Sequence, residues 1–223
     1  MRNTIYILSL FALISAVGCK KDADVPPEIR PSDFFARCTI STPDGITQPF
    51  FVQGEQTIVI DSIGNLPLEA TLKQQSNYFI APDSNKYTWG GLYYDLLFKW
   101  GIGIRLCRDE KITSTEQYPE WRKEELDALL VPGREFSFGD APGQAQMVLN
   151  QWMPAISVGG NDQPLSDAFL RLESVDDYGS PEAGIPYYGK IARFRFGGSF
   201  DRGGYVQKIS NGEAVIFFRY FNY

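Results

Sequence analysis

The chain has 223 residues, with 21 lysines and arginines against 27 aspartates and glutamates, and no histidine. Hydrophobic residues make up 43% and aromatics 14%, enough for one sizeable core. A formal charge of −6 and a pI near 4.8 speak against binding nucleic acid through a basic surface, and the missing histidine excludes Ser-His-Asp and Cys-His pairs and histidine-ligated metals.

Behind Arg2, the chain is apolar from Ile5 to Val17 apart from Ser9 and Ser15. A membrane-spanning helix needs about twenty apolar residues, so this run is too short to be one, but it suits the h-region of a secretory signal. Ser15, Ala16 and Gly18 lead directly into Cys19. Small residues before a cysteine at that place resemble the lipobox of bacterial lipoproteins, although Ala16 stands where leucine is common. The resemblance implies cleavage before Cys19, diacylation of its thiol and acylation of the new amino terminus. From Lys20 to Asp33 there is no hydrophobic periodicity, and Pro26, Pro27 and Pro31 stiffen the stretch. Such a tether reaches at most about 40 Å if extended. Several acyl chains hold a soluble domain on a membrane without a spanning helix. The expected organisation is a signal peptide over 1–18, the lipidated cysteine and tether over 19–33, and one domain over 34–223.

Beyond Asp33 the runs are short, aromatic and β-branched, and broken by Gly, Pro, Asn or Asp, which predicts strands and turns. Strands are expected at Phe34–Ile40, Phe50–Gln53, Thr57–Ser62, Leu68–Gln74 and Tyr78–Ala81. From Leu92 to Leu106 every even position is apolar, and this period of two predicts one long strand, bent or bulged at Gly101 and Gly103. Glu120 to Leu130 reads as a helix, with Pro119 near its start and Pro132-Gly133 as its stop. Glu135–Phe138 and Ala168–Val175 are further strands, whereas Gln144–Gln151 fits either type. Ala192, Phe194 and Phe196 alternate with Arg193 and Arg195, the pattern of a half-buried strand. Finally, Asn211-Gly212 between Tyr205–Ser210 and Glu213–Phe221 predicts a terminal hairpin closed by a type I′ turn. Together these predict a mainly β domain, a two-sheet antiparallel β-sandwich with one short helix; a closed barrel is the alternative.

The lipobox, the charged tether, the β-rich body and the ending KISNGEAVIFFRYFNY together resemble the uncharacterised outer-membrane lipoproteins of Bacteroidetes. The charged run after Cys19 is also similar to the export tag of surface lipoproteins from that phylum. This resemblance covers the signal and the C-terminal strands, and the middle only in general character. It implies location and fold class, and brings no catalytic residues.

Few residues carry chemistry. An exported chain meets oxidising conditions, so Cys38 and Cys107 could form a disulfide. Strand phase speaks against it: Cys38 shares a face with Ala36 and Ile40, while Cys107 is in phase with Arg105. Gly184–Lys190 has the glycine and lysine spacing of a phosphate loop, but Ile191 replaces the Ser or Thr and a strand follows. Gly101-Ile-Gly103 lacks the third glycine of a dinucleotide fingerprint. Asp109-Glu110, Glu124-Glu125 and Asp176-Asp177 supply carboxylates for a glycoside hydrolase, and Asp162, Asp176 and Asp177 could join a calcium site; solvated loops account for them more simply. Trp89, Trp121 and Trp152, with Tyr187-Tyr188, Tyr220, Phe221 and Tyr223, are candidates for stacking on a sugar ring, although core or rim packing is the plainer reading. Arg193 and Arg195 share a strand face that could meet an anionic glycan or stay solvated. No cofactor, metal or catalytic residue is expected. The expectation is a lipid-anchored envelope module, bound to the membrane through Cys19, with a glycan, a peptide or an envelope protein as partner and no nucleic acid. A two-carboxylate glycosidase is the alternative.

Overall fold

The computed structural model describes residues 33–54, 57–60, 68–80, 86–94, 101–111, 121–150, 156–158, 162–180 and 187–220. In chain order the strands are β1 (Phe35–Ser41), β2 (Thr47–Gln53), β3 (Thr57–Ile60), β4 (Leu68–Ile80), β5 (Lys86–Tyr94) and β6 (Gly101–Cys107). A helix, α1 (Lys123–Leu129), precedes β7 (Glu135–Phe136), β8 (Ala145–Asn150), β9 (Ile156–Val158) and β10 (Gln163–Pro164). The long strands β11 (Phe169–Ser180), β12 (Tyr187–Arg202) and β13 (Tyr205–Tyr220) follow. No described helix is long and apolar enough to cross a membrane.

Two antiparallel sheets form. The first is seven-stranded, ordered β2-β1-β13-β12-β11-β7 with β10 against β12; the second is six-stranded, ordered β3-β4-β5-β6-β8-β9. The fold is a β-sandwich, and the two sheets remain separate rather than closing into a barrel. Alternation builds the core. Ala36, Cys38 and Ile40 of β1, Ala192, Phe194 and Phe196 of β12, and Ile102, Ile104 and Leu106 of β6 all belong to one buried cluster. Phe194 is its centre of aromatic packing, with ring centroids 6.5 Å from Phe136 and 6.0 Å from Phe218. Each such side chain contributes roughly 1.5–3 kcal/mol by leaving water.

Three expectations are corrected. The apolar alternation from Leu92 to Leu106 belongs to two strands, β5 and β6, which pair antiparallel with Leu92 opposite Ile102 and Gly90 opposite Ile104. Even positions face even positions in this register, so the period of two runs on in phase from one strand to the next and imitates a single strand. Leu68–Gln74 and Tyr78–Ala81 are the reverse case: residues 68–80 form the single strand β4, and Ala81 lies outside the described residues.

The third concerns Asn211-Gly212, where no hairpin forms. Tyr205 to Tyr220 is one strand. The hairpin lies earlier, between β12 and β13, where Arg202 pairs with Tyr205 around Gly203-Gly204. Both glycines have positive φ, 61° and 94°, as a tight type I′ turn requires. Asn211, at φ 54°, instead sits in a β-bulge: β13 spends one extra residue there against both β1 and β12. The bulge resets the strand's phase. Gln207 and Ile209 are buried on one side of it, and Ala214, Ile216, Phe218 and Tyr220 on the other.

The helix forms where Glu120 to Leu130 predicted it, over a shorter span. Glu125 accepts a hydrogen bond from the Arg122 backbone N–H (2.8 Å), and Leu126 and Leu129 are its buried residues. Trp121 just before it is fully buried, and its Nε1–H donates to the Tyr87 carbonyl (3.0 Å). Gln144–Gln151, open from sequence, contains strand β8.

Candidate functional site

The outer face of the first sheet carries an ordered row of charge. Directly paired residues of antiparallel strands project to the same face. Register places Phe51 (β2), Arg37 (β1), Glu213 (β13), Arg195 (β12), Arg171 (β11) and Glu135 (β7) on one line across the sheet. Along β12, Arg193 lies two residues from Arg195 and shares its face.

Glu213 is the anchor of this row. Its side chain is 9% exposed, sunk between two guanidiniums. Arg37 donates to Oε2 through Nε (3.0 Å) and Nη2 (2.6 Å), and Arg193 donates to Oε1 through Nη1. Burial pushes the Glu213 carboxyl pKa up, but the hydrogen bonds from Arg37 and Arg193 outweigh it and hold it below the ordinary value. The Phe35 ring lies between the same two guanidiniums, at 5.6 Å from Arg37 and 5.9 Å from Arg193. Arg171 bonds Glu173 on its own strand, through Nε (2.9 Å) and Nη2 (2.7 Å). Arg195 is different. It is exposed, directly opposite Arg171, and no hydrogen bond, ion pair or ring contact engages it among the described residues.

A second charged assembly sits where α1 meets the two sheets. Glu125 and Asp127 are two residues apart, roughly 200° around the helix, so they point to opposite sides. Glu125 accepts from Lys86 of β5 at 3.1 and 3.0 Å and lies 3.4 Å from Arg108. Asp127 pairs with Lys190 of β12 and with Lys123 (2.9 Å), and Lys190 also meets Asp177 of β11 (2.5 Å). Burial raises the Asp127 pKa, but Lys190 and Lys123 outweigh that and lower it. The Lys123 ammonium is held above its ordinary range, chiefly by its hydrogen bond to Asp127. Beside this cluster Tyr188 and Tyr220 stack with ring centroids 6.1 Å apart. Each sheet thus gives one buried lysine to one face of the helix. The arrangement fastens the helix to both sheets.

The remaining sequence candidates fall into place or outside the described residues. Cys19, Trp152, Phe221 and Tyr223 lie outside them. No disulfide joins Cys38 to Cys107. Cys38 is in the core, where burial pushes its thiol pKa up to about 12, while Cys107 ends β6 opposite Tyr87, in phase with Arg105. The two sulfurs belong to different sheets, and only one faces the core between them. Lys190, the last residue of the phosphate-loop match, is a buried ion-pair partner inside a strand. Gly101 and Gly103 lie inside β6. Asp109 pairs with Arg134 (2.5 Å), and Asp162 accepts from Arg202 (2.7 and 2.6 Å). Asp162 and Asp177 lie at opposite ends of β12, so they cannot share an ion, and no described group of three such residues could hold a metal. Trp121 is core, and Trp89 is half-buried opposite Arg105.

Sequence singles out Arg193 and Arg195 by their alternation. It leaves Arg37, Arg171 and Phe51 unnoticed, because only strand order brings them to the same line.

No protein-family model, no curated protein and no solved structure matches this chain.

Proposed function

We propose that the chain is a lipid-anchored binding module of the cell envelope, tethered to the outer membrane through acyl chains on Cys19, and that the outer face of the first sheet is its binding surface. It acts by holding a partner rather than by chemistry. The observation that carries this is Arg195, an exposed guanidinium opposite another arginine and engaged by nothing among the described residues. Arg195 also lies opposite Glu213, but that carboxylate is taken by Arg37 and Arg193, so the Arg195 guanidinium keeps its donors open for a ligand. The non-catalytic part rests on the carboxylates. Glu125, Asp109 and Asp177 are each engaged in an ion pair with lysine or arginine that ties one element to another, a structural use of the carboxylate.

The test is purification of the full-length protein from its native membranes in mild detergent, with mass spectrometry of the N-terminal peptide and of whatever accompanies it. An acylated Cys19 together with a partner that is lost in Arg195→Ala supports the reading. An unmodified Cys19 removes the anchor. A partner retained equally by Arg195→Ala moves the surface elsewhere, the first candidate being Phe51 and the marginal strand β2, as a structural subunit of an envelope assembly would use them.

A further inference from the structure

We infer that the arginine row of the first sheet takes a carboxylate-bearing polysaccharide. This rests on the binding-module reading and names its ligand.

Charge comes first. Arg37 and Arg193 share the single charge of Glu213, so that trio keeps one positive charge, and Arg195 beside it adds a second. Arg171 is neutralised by Glu173, and Glu135 closes the row at its far margin. The centre of the face is therefore cationic on a chain whose overall charge is −6. A guanidinium with its donors open matches the two oxygens of a carboxylate in a bidentate fork.

Shape and neighbours narrow the class. The line from Phe51 to Glu135 crosses six strands, about 24 Å at the usual strand spacing of about 4.8 Å. That length suits an extended chain rather than a single small anion. A peptide would gain most at a sheet margin, where backbone groups can pair with it. A sheet face offers side chains only, and here these are guanidiniums beside phenyl rings. Phe51 is 53% exposed next to Arg37, and Phe35 lies between Arg37 and Arg193. A flat apolar ring beside a cation fits a sugar that carries both a C–H face and an acid group.

The experiment measures binding of the full-length protein in detergent to polygalacturonate, to the same polymer fully methyl-esterified, and to poly-glutamate. Polygalacturonate should bind, more weakly as salt is raised, and the esterified polymer should not. Arg195→Ala should weaken binding at least tenfold, and Phe51→Ala should weaken it severalfold. Lys111→Ala, which removes an exposed charge outside the row, should leave it unchanged. The inference is overturned if Arg195→Ala binds normally, if Lys111→Ala weakens binding as much, or if the wild type binds no polygalacturonate. It is also overturned if poly-glutamate binds as tightly, which would identify an acidic peptide. Any of these alongside a partner that still co-purifies from membranes removes the polysaccharide and leaves the binding module standing.

Discussion

Arg171 of β11 and Arg195 of β12 stand directly opposite one another on the exposed face of the first sheet. Arg171 turns to Glu173, and Arg195 keeps its charge in the open. Facing like charges are destabilising, by about 0.2–1 kcal/mol for a pair of this kind. Glu213 on the other side of Arg195, already shared by Arg37 and Arg193, and Glu173 beside Arg171 offset part of this, so Arg195→Thr should raise stability by less than that amount, seen as a higher urea midpoint with unchanged slope. Added salt should raise the wild-type midpoint more than the variant's, because only the wild type has repulsion to screen. A lower midpoint for the variant would mean that Arg195 holds the fold together.

Glu213 gives the face a pH dependence of known sign. Its folded pKa lies below the ordinary 4.5. The unfolded chain therefore takes up the proton more readily, so the stabilisation is complete above about pH 4.5 and is lost as pH falls through the folded value. Glu213→Gln should cost about 1–2 kcal/mol near neutral pH, discounted because the Arg37 and Arg193 side chains are 61% and 46% exposed. Urea midpoints taken from pH 7 down to pH 3 should show wild type and variant converging below about 4.5. A constant gap at all pH values would remove the carboxylate from the account.

The helix fastening makes a graded prediction. Lys86 is 1% exposed and the Glu125 side chain 8%, so this pair is fully desolvated. Glu125→Gln takes away the carboxylate that both Lys86 and Arg108 face, and should cost about 3–5 kcal/mol. Lys86→Met leaves Glu125 with Arg108 and Arg122, and should cost less. Chemical denaturation orders the two. Equal losses would mean that Arg108 and Arg122 contribute nothing to Glu125.

Periodicity made the core legible. Ala192, Phe194 and Phe196 were readable as an inward face because their spacing is local, and the helix was readable from Leu126, Leu129 and its Pro-Gly stop. What stayed hidden depends on register. The even-position run through Leu92 and Leu106 says nothing of the reversal between them, because the pairing keeps its phase. The same limit governs the candidate site. Arg193 and Arg195 declare themselves as neighbours, but Arg37 and Arg171 join them only once β1, β13, β12 and β11 lie side by side.

Asn211-Gly212 shows the same limit most sharply, because the residue types announce a positive φ and do not announce its use. Asn tolerates positive φ, and either a type I′ turn or a bulge can employ that. Here Gly203-Gly204 provides the turn, and Asn211 provides the bulge that shifts β13 from burying Gln207 and Ile209 to burying Ala214 and Ile216. Asn211→Gly should then be nearly neutral, while Asn211→Ala should cost about 1–2 kcal/mol by removing the short polar side chain whose local hydrogen bonding makes the left-handed region tolerable. Gly212→Ala fails for another reason: its added carbon would meet the Phe196 carbonyl and ring, at a cost of about 1–3 kcal/mol. Gly203→Ala meets no neighbour and should cost only its backbone strain, about 1 kcal/mol. Thermal or urea unfolding of the four variants separates the two causes. If Asn211→Ala were as neutral as Asn211→Gly, residue 211 would need no left-handed backbone, and the phase change along β13 would require another origin.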